Sequence, residues 1–207
     1  MKVKEIDINS WDRKQHYEHF IKFKDPYFGV VVPFDVTTAY HASKTYHYSF
    51  FGRYLHDCMK AVNTVEPFKY RIKDEKVIIH DVIHASATIM RTNKTFGCSF
   101  INFNEDLKVF LHHLEIEKQR IQNSNDLFPP QNGSNCIHCS ALPWVAFTGH
   151  KEPVSGMFES VPKLGFSKLY KEDGKLMMNV SIDVNHALMD GYHVGLFSEK
   201  FQDFLNA

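Results

Sequence analysis

The sequence has no excess of charge of either sign. Its 207 residues include 24 lysines and arginines and 24 aspartates and glutamates, and no long basic run breaks that balance. Proteins whose main partner is a nucleic acid or an anionic membrane usually carry a concentrated positive surface. We therefore expect neither a nucleic acid nor a membrane as a partner.

Long hydrophobic runs are also missing. A stretch such as residues 28–34 is among the longest, whereas a membrane-spanning helix needs roughly 20 apolar residues. The opening segment, MKVKEIDINSW, does not contain the apolar core of a secretory signal peptide. We therefore expect a cytoplasmic location.

Cysteine is sparse, and a disulfide framework is not expected in a cytoplasmic protein. The cysteines are Cys58, Cys98, Cys136 and Cys139. Cys136 and Cys139 form a single C-x-x-C motif with His138 inside it, but a zinc site needs a second pair of ligands at a suitable spacing. The sequence offers no such pair, so we expect no bound metal.

Glycine-rich phosphate-binding motifs are absent as well, and the hydrophobic periodicity indicates another kind of fold. Helices are predicted over residues 11–23 with Ser10 as N-cap, over 37–65 with a break, from an Asn104 cap to 122, and over 192–206. Strands are predicted over residues 27–36, 68–73, 76–83, 85–103, 139–147, 164–170 and 175–184, and loops over 123–135 and between 147 and 164.

Helices thus alternate irregularly with strands joined by hairpins. This order predicts an α+β fold, a two-layer sandwich of a mixed, largely antiparallel sheet with helices packed on one side. No repeat or linker divides the chain, so we expect a single domain over residues 1–207.

The most informative segment is Asn185–Gly191, which follows a strand of alternating apolar and polar residues. If that period continues, His186 leaves the end of the buried face, and Asp190-Gly191 breaks the chain before the last helix. A histidine held in this way can act as a general base. Taken alone, a histidine in this position is more often a core residue whose hydrogen bonds are satisfied.

Four segments together resemble one family over the whole chain. They are Trp11–Glu18, similar to W-x-R-[RK]-x-H-[FY]-E; Asp126–Pro129; Ile137–Trp144, which ends in S-A-L-P-W; and Asn185–Val194, similar to H-H-A-x-x-D-G-[FY]-H-V. In this order they resemble the type A chloramphenicol acetyltransferases, members of the CoA-dependent acyltransferase superfamily. The resemblance implies that superfamily's fold and the direct transfer of an acetyl group from acetyl-CoA to a hydroxyl of chloramphenicol.

The resemblance also implies roles for individual residues. His186 would be the general base, and the Ser140 hydroxyl would stabilise the oxyanion of the tetrahedral intermediate. Asp190 would pair with Arg13 and brace the loop that holds His186, rather than transfer a proton. Taken alone, Ser140 could be an ordinary strand-end hydroxyl, and the Asp190–Arg13 pair a surface ion pair worth about 0–1 kcal/mol.

The family works as a homotrimer with each active site between two subunits, so the resemblance implies the same assembly here. It places four residues in the acceptor pocket: His19, Phe20, Phe96 and His138. Tyr170 would contact CoA. Acetyl-CoA would enter as a co-substrate, with no permanently bound cofactor.

Three departures from the family pattern bear on the acceptor. Asn185 replaces a histidine, residues 25–28 lack the usual Pro-Cys, and residues 164–170 lack a threonine. Three functions therefore stay open. They are a chloramphenicol O-acetyltransferase, an acyltransferase of the same mechanism acting on another small hydroxyl or amine, and a non-catalytic trimeric ligand-binding protein.

Overall fold

A computed structural model describes residues 3–155 and 159–207. The helices are α1 (Lys14–Phe20), α2 (Thr37–Thr45), α3 (Phe50–Thr64), α4 (Leu107–Gln122) and α5 (Gly191–Asn206). The strands are β1 (Val3–Glu5), β2 (Tyr27–Asp35), β3 (Tyr70–Lys73), β4 (Lys76–His80), β5 (His84–Met90), β6 (Phe96–Cys98), β7 (Cys136–Leu142), β8 (Lys163–Ser167), β9 (Tyr170–Glu172) and β10 (Lys175–Asn185).

The main sheet has seven strands in the order β2-β10-β8-β7-β5-β6, with β9 paired to one end of β10. The pairs β5–β7 and β7–β8 are parallel, and the other pairs of this sheet are antiparallel. A second sheet contains β1, β4 and β3 in that order, all antiparallel. The predicted α+β class, with a mixed and largely antiparallel sheet, is confirmed.

The hydrophobic core lies between the main sheet and the helices. Residues Met178, Val180, Ile182 and Val184 of β10 are buried, as the alternating pattern predicts. Phe34 lies beside Met178 in the sheet, and its ring centroid is 4.8 Å from that of Phe201 in α5. This face of β10 therefore packs against the helices.

The opposite face of β10 is polar but is also buried, which the alternation alone does not predict. Asn179 donates a hydrogen bond to the carbonyl oxygen of Phe147 at 2.9 Å, and the Ser181 hydroxyl lies 2.8 Å from Nδ1 of His150. The polar residues are buried because the segment containing residues 147 and 150 crosses them.

Three predicted helix starts or breaks can be compared with the structure. The break in residues 37–65 is confirmed, because α2 ends before His47, which has a positive φ, and Ser49 caps α3. Ser10 does not cap α1; its hydroxyl donates to Asp7 instead, and the helix begins only at Lys14. The cap of α4 is Asp106 rather than Asn104, because its carboxylate accepts from the amides of residues 108 and 109.

Three predicted strands have different bounds. The strand predicted over 85–103 is two strands, β5 and β6, because the chain turns at Lys94, which has a φ of 70°. The strand predicted over 139–147 begins at Cys136 and ends before Pro143, since proline has no amide proton for the sheet. The strand predicted over 164–170 is divided between β8 and β9.

The two predicted loops can be compared only in part. Residues 123–135 lie between α4 and β7, as predicted. The other predicted loop includes residues 156–158, which lie outside the described residues. Nowhere in 3–155 and 159–207 is there a helix long and apolar enough to cross a membrane.

Candidate active site

The turn after β10 holds His186 by its backbone and its ring. Asn185 begins this turn, because its side-chain oxygen accepts a hydrogen bond from the Ala187 amide at 2.9 Å. The His186 amide donates to the carbonyl oxygen of Pro26 at 2.9 Å. Nδ1 of His186 lies 3.2 Å from the carbonyl oxygen of Met189. Because a carbonyl can only accept, this contact places a proton on Nδ1, and in the neutral ring the lone pair is then on Nε2.

Two aromatic rings enclose the His186 imidazole. Phe20 stacks on it with ring centroids 4.0 Å apart and an interplanar angle of 8°, and Phe28 lies at 4.6 Å. His19 contacts the ring of Phe20 edge-on. His19 and Phe20, predicted to line the acceptor pocket, thus lie on the His186 side of the molecule.

The ion pair implied by the resemblance joins the N-terminal region to the His186 turn. Nη1 of Arg13 lies 2.5 Å from Oδ2 of Asp190, and Nη2 donates to the carbonyl oxygen of His186 at 3.4 Å. The Arg13 and Asp190 side chains are only partly buried, with exposed fractions of 13% and 31%. Burial alone would raise the pKa of Asp190, but the Arg13 hydrogen bond and the nearby positive charges lower it overall.

A pocket of about 790 Å³ opens on another part of the sheet. Ser140, His138 and Phe96 line it, and the side chains of residues 138 and 140 share one face of β7. The walls around His138 lower its pKa by desolvation, and the positive charge of Lys163 lowers it further. This favours a neutral imidazole near pH 7.

One wall of this pocket carries an ion pair. Nζ of Lys163 lies 2.7 Å from a carboxylate oxygen of Glu159, and the exposed fractions of the two side chains are 5% and 11%. Lys163 also donates to the carbonyl oxygen of Pro153, and Glu159 accepts a hydrogen bond from the Ser155 hydroxyl at 2.9 Å. Apolar side chains such as Phe96 also line the pocket. The pocket is therefore amphipathic.

A fully buried arginine fixes the beginning of the strand that carries His138 and Ser140. Arg71 donates to the carbonyl oxygens of Ser134, at 2.6 Å, and of Cys136, as well as to two carbonyls of its own segment. Burial lowers the pKa of Arg71 to about 10, so it stays charged near pH 7. Its hydrogen bonds tie β7 to the smaller sheet.

Sheet register separates Ser140 from His186 within one chain. Ser140 pairs with Gly165, which pairs with Ser181 of β10. The five residue steps from Ser181 to His186 span about 16 Å along the strand, and two strand spacings span about 10 Å, which gives a separation on the order of 19 Å. A single acetyl carbonyl therefore cannot contact both side chains of one chain.

One predicted site residue, Tyr170, belongs neither to the His186 turn nor to the pocket lining. Tyr170 is in β9, where its hydroxyl donates to the Asn179 side chain at 2.8 Å. Cys136 and Cys139 are free and buried. In the described part of the chain, no group of three or more histidine, cysteine or acidic side chains could hold a metal ion.

Three residues near the His186 turn or the pocket were not predicted from the sequence. Glu159 and Lys163 reach the pocket wall through the pairing of β8 with β7, which no local pattern predicts. His193 contacts Asp190 at the start of α5. The sequence does carry a signal for this contact. The residue three positions after an N-cap aspartate can return a hydrogen bond to the N-cap amide, which is the capping-box arrangement.

Comparisons with known proteins agree with the resemblance. A family model described as chloramphenicol acetyltransferase matches residues 1–202. This chain belongs to the chloramphenicol acetyltransferase family. The protein is therefore an enzyme of the acyltransferase class.

Individual relatives are similar over nearly their whole length. A chloramphenicol acetyltransferase of Clostridium perfringens is 28% identical over 211 residues, covering 100% of both chains. One of Klebsiella sp is 27% identical and covers 96% of this chain and 92% of its own.

Solved structures show the same architecture. A chloramphenicol acetyltransferase structure matches with a TM-score of 0.88 and 25% identity, covering 99% of this chain and 100% of its own. The dihydrolipoamide acetyltransferase of Azotobacter vinelandii matches with a TM-score of 0.69 and 16% identity, covering 93% and 86%. The second likeness concerns the fold alone.

Proposed function

We propose that this protein transfers the acetyl group of acetyl-CoA to a hydroxyl of chloramphenicol, with His186 as the general base. The observation that carries the proposal is the hydrogen bond between His186 Nδ1 and the Met189 carbonyl oxygen. In the neutral ring this bond leaves the lone pair on Nε2, and the stacked Phe20 ring holds the imidazole in one plane. A base of this kind contributes about 10²–10⁴-fold to a rate.

The proposed reaction has one tetrahedral intermediate and no acyl-enzyme. Nε2 of His186 removes the hydroxyl proton while the hydroxyl oxygen attacks the thioester carbonyl carbon. The Ser140 hydroxyl donates a hydrogen bond to the resulting oxyanion. The carbon–sulfur bond then breaks, and the CoA sulfur takes the proton from Nε2, which gives CoA and the acetyl ester.

Arg13 and Asp190 would support the base rather than react. Their ion pair and the Arg13 contact with the His186 carbonyl oxygen hold the turn between β10 and α5. Removal of one partner would leave the other charge partly buried and unpaired, which is costly. We therefore assign both residues to positioning.

We further infer a homotrimer in which two chains form each active site. Because His186 and Ser140 lie on the order of 19 Å apart in one chain, the base of one subunit would face the pocket of its neighbour. His186, His19 and Phe20 would come from one subunit, and Ser140, His138 and Phe96 from the other. Acetyl-CoA would bind as a co-substrate, with Tyr170 as a contact, and the enzyme would work in the cytoplasm.

The first experiment measures CoA release from acetyl-CoA with and without chloramphenicol. We expect release that depends on chloramphenicol, and a loss of roughly 10²–10⁴-fold or more in His186→Ala. His112→Ala is the matched control, because His112 is an exposed residue of α4. No chloramphenicol-dependent release by the folded wild-type protein would contradict the proposed acceptor, and no turnover with any acceptor would favour the binding-only alternative.

One observation favours a second candidate acceptor. The Lys163–Glu159 pair and Glu152 line the pocket and add charge to a site that also contains apolar side chains. Such a wall suits another small hydroxyl or amine compound that carries polar groups, acetylated by the same mechanism. Release of CoA with a panel of polar alcohols and amines, compared at equal concentration with chloramphenicol, separates the two candidates.

A further inference from the structure

His193 contacts Asp190 at the beginning of α5. Its Nδ1 accepts a hydrogen bond from the Asp190 amide at 3.1 Å, and the Asp190 side chain in turn caps the helix. The resemblance gives His193 no role, and the proposed reaction does not use it. The arrangement is a reciprocal cap in which histidine takes the place usually held by glutamate or glutamine.

One peptide group links this contact of His193 to His186. The Asp190 amide and the Met189 carbonyl belong to the same planar peptide group. The N–H of this group donates to His193, and its oxygen lies 3.2 Å from Nδ1 of His186. Two imidazoles therefore hold one peptide plane from opposite sides.

We propose that His193 is a positioning residue that fixes the tautomer and orientation of His186 through the Met189–Asp190 peptide group. If this plane rotated, the Met189 oxygen would leave Nδ1 of His186, and the proton could move to Nε2. The ring could then no longer act as a base on a substrate hydroxyl. Hydrogen bonds in such a chain also polarise one another, so the accepted N–H makes the Met189 oxygen a better acceptor.

The surroundings of His193 favour its neutral ring, in which Nδ1 can accept a hydrogen bond. Burial lowers its pKa, although the carboxylate of Asp190 acts in the opposite direction. Nδ1 lies 3.0 Å from Oδ1 of Asp190, so a protonated ring would donate to the carboxylate and release the peptide N–H. Arg13 is the other charged group at this position, and it neutralises Asp190.

The test combines a substitution that removes the acceptor with one that restores it. His193→Ala leaves the Asp190 amide without its partner, whereas His193→Asn places an amide oxygen near the position of Nδ1. Asp106→Ala is the matched control, because it removes the N-cap of α4 far along the chain from His186. If His193→Ala does not fold, His193→Leu, which fills more of the space, is used instead.

The first readout does not need enzyme activity. Long-range ¹H–¹⁵N NMR spectra report the tautomer of His186, whose signals are assigned by their loss in His186→Ala. We expect a single Nδ1–H tautomer in the wild type, in His193→Asn and in Asp106→Ala, and a mixture in His193→Ala. An unchanged tautomer in His193→Ala would overturn the inference.

The second readout rests on the proposed function. We expect kcat to fall at least about tenfold in His193→Ala, because small errors in the position of a catalytic group are costly. The KM for both substrates should change less than about twofold, and His193→Asn should regain most of the kcat. Asp106→Ala should lower Tm but keep kcat, and equal losses of kcat in His193→Asn and His193→Ala would contradict the inference. If the wild type transfers no acetyl group, the proposed function fails while the NMR result still decides the inference.

Discussion

The histidine residues differ in what surrounds their rings. His80 and His84 are buried, with exposed fractions of 8% and 9%, and burial lowers the pKa of both, that of His80 to about 4. His186 instead keeps one nitrogen bonded to a carbonyl and the other free. Its two ring nitrogens therefore have different surroundings, as the proposed role of a general base requires, whereas the rings of His80 and His84 are neutral parts of the structure.

The buried histidines make stability depend on pH. Between pH 6.5 and about 4, the unfolded chain binds a proton at His80 that the folded chain does not, so the free energy of unfolding falls as pH falls. Each such histidine contributes a slope of up to about 1.4 kcal/mol per pH unit, and we expect about 3 kcal/mol from His80 over this window.

Urea unfolding at several pH values measures this slope. His80→Gln should be less sensitive to pH below 6.5 than the wild type, whereas His112→Gln, which changes an exposed histidine, should keep the wild-type slope. Parallel curves for the wild type and His80→Gln would contradict the prediction.

At the scale of elements, close approach between helices limits which residues fit. A Cβ atom at Gly52 in α3 would lie 2.3 Å from a methyl carbon of Leu111 in α4, while one at Gly195 in α5 would meet nothing within 4 Å. Both glycines are in helices, but only the first is at a packed contact.

These two glycines form a matched pair for a stability test. Gly52→Ala should destabilise by about 1–3 kcal/mol, because the Leu111 side chain must leave its present position to make room for the added methyl group. Gly195→Ala should stabilise by about 0.4–1 kcal/mol, because alanine restricts the unfolded chain and favours a helix. Thermal unfolding of both variants gives the sign of each change in stability directly. A stabilised Gly52→Ala would contradict the prediction and show that the contact between α3 and α4 can relax.

Local sequence signals predicted the elements better than their ends. The alternation in β10 and the Asp190-Gly191 break predicted the strand, the turn and α5 because each depends on neighbouring residues. The turn that divides β5 from β6 was missed although residues 91–95 are all polar, because the turn depends on Lys94 adopting a positive φ. The Lys163–Glu159 wall was missed because strand order, which is set by the whole fold, brings it to the pocket.

At the scale of the whole molecule, the proposed shared site can be tested with two inactive variants. His186→Ala lacks the base, and Ser140→Ala lacks the oxyanion donor. In a trimer that contains both kinds of chain, one interface joins the intact base of one chain to the intact pocket of another. We therefore expect mixed trimers to regain up to about one third of the wild-type activity.

The two variants should be co-expressed with different tags and the mixed trimers purified through both. Separately purified variants that are combined without exchange of subunits provide the control, and they should stay inactive. An inactive mixed trimer would contradict a site shared between subunits.

The distance between Ser140 and His186 within one chain also bears on how new acceptor preferences could arise. The pocket wall is held by β7, β8 and Arg71, whereas the base is held by Arg13, Asp190 and the start of α5. The Asn185 side chain donates to the carbonyl oxygen of Glu159 at 2.8 Å, but this bond uses the Glu159 backbone. Side-chain substitutions that reshape the wall can therefore leave the hydrogen bonds of His186 in place. Under the proposed function, acceptor choice could therefore diverge in steps that each leave proton transfer by His186 working, and new substrates could be gained without first losing the chemistry.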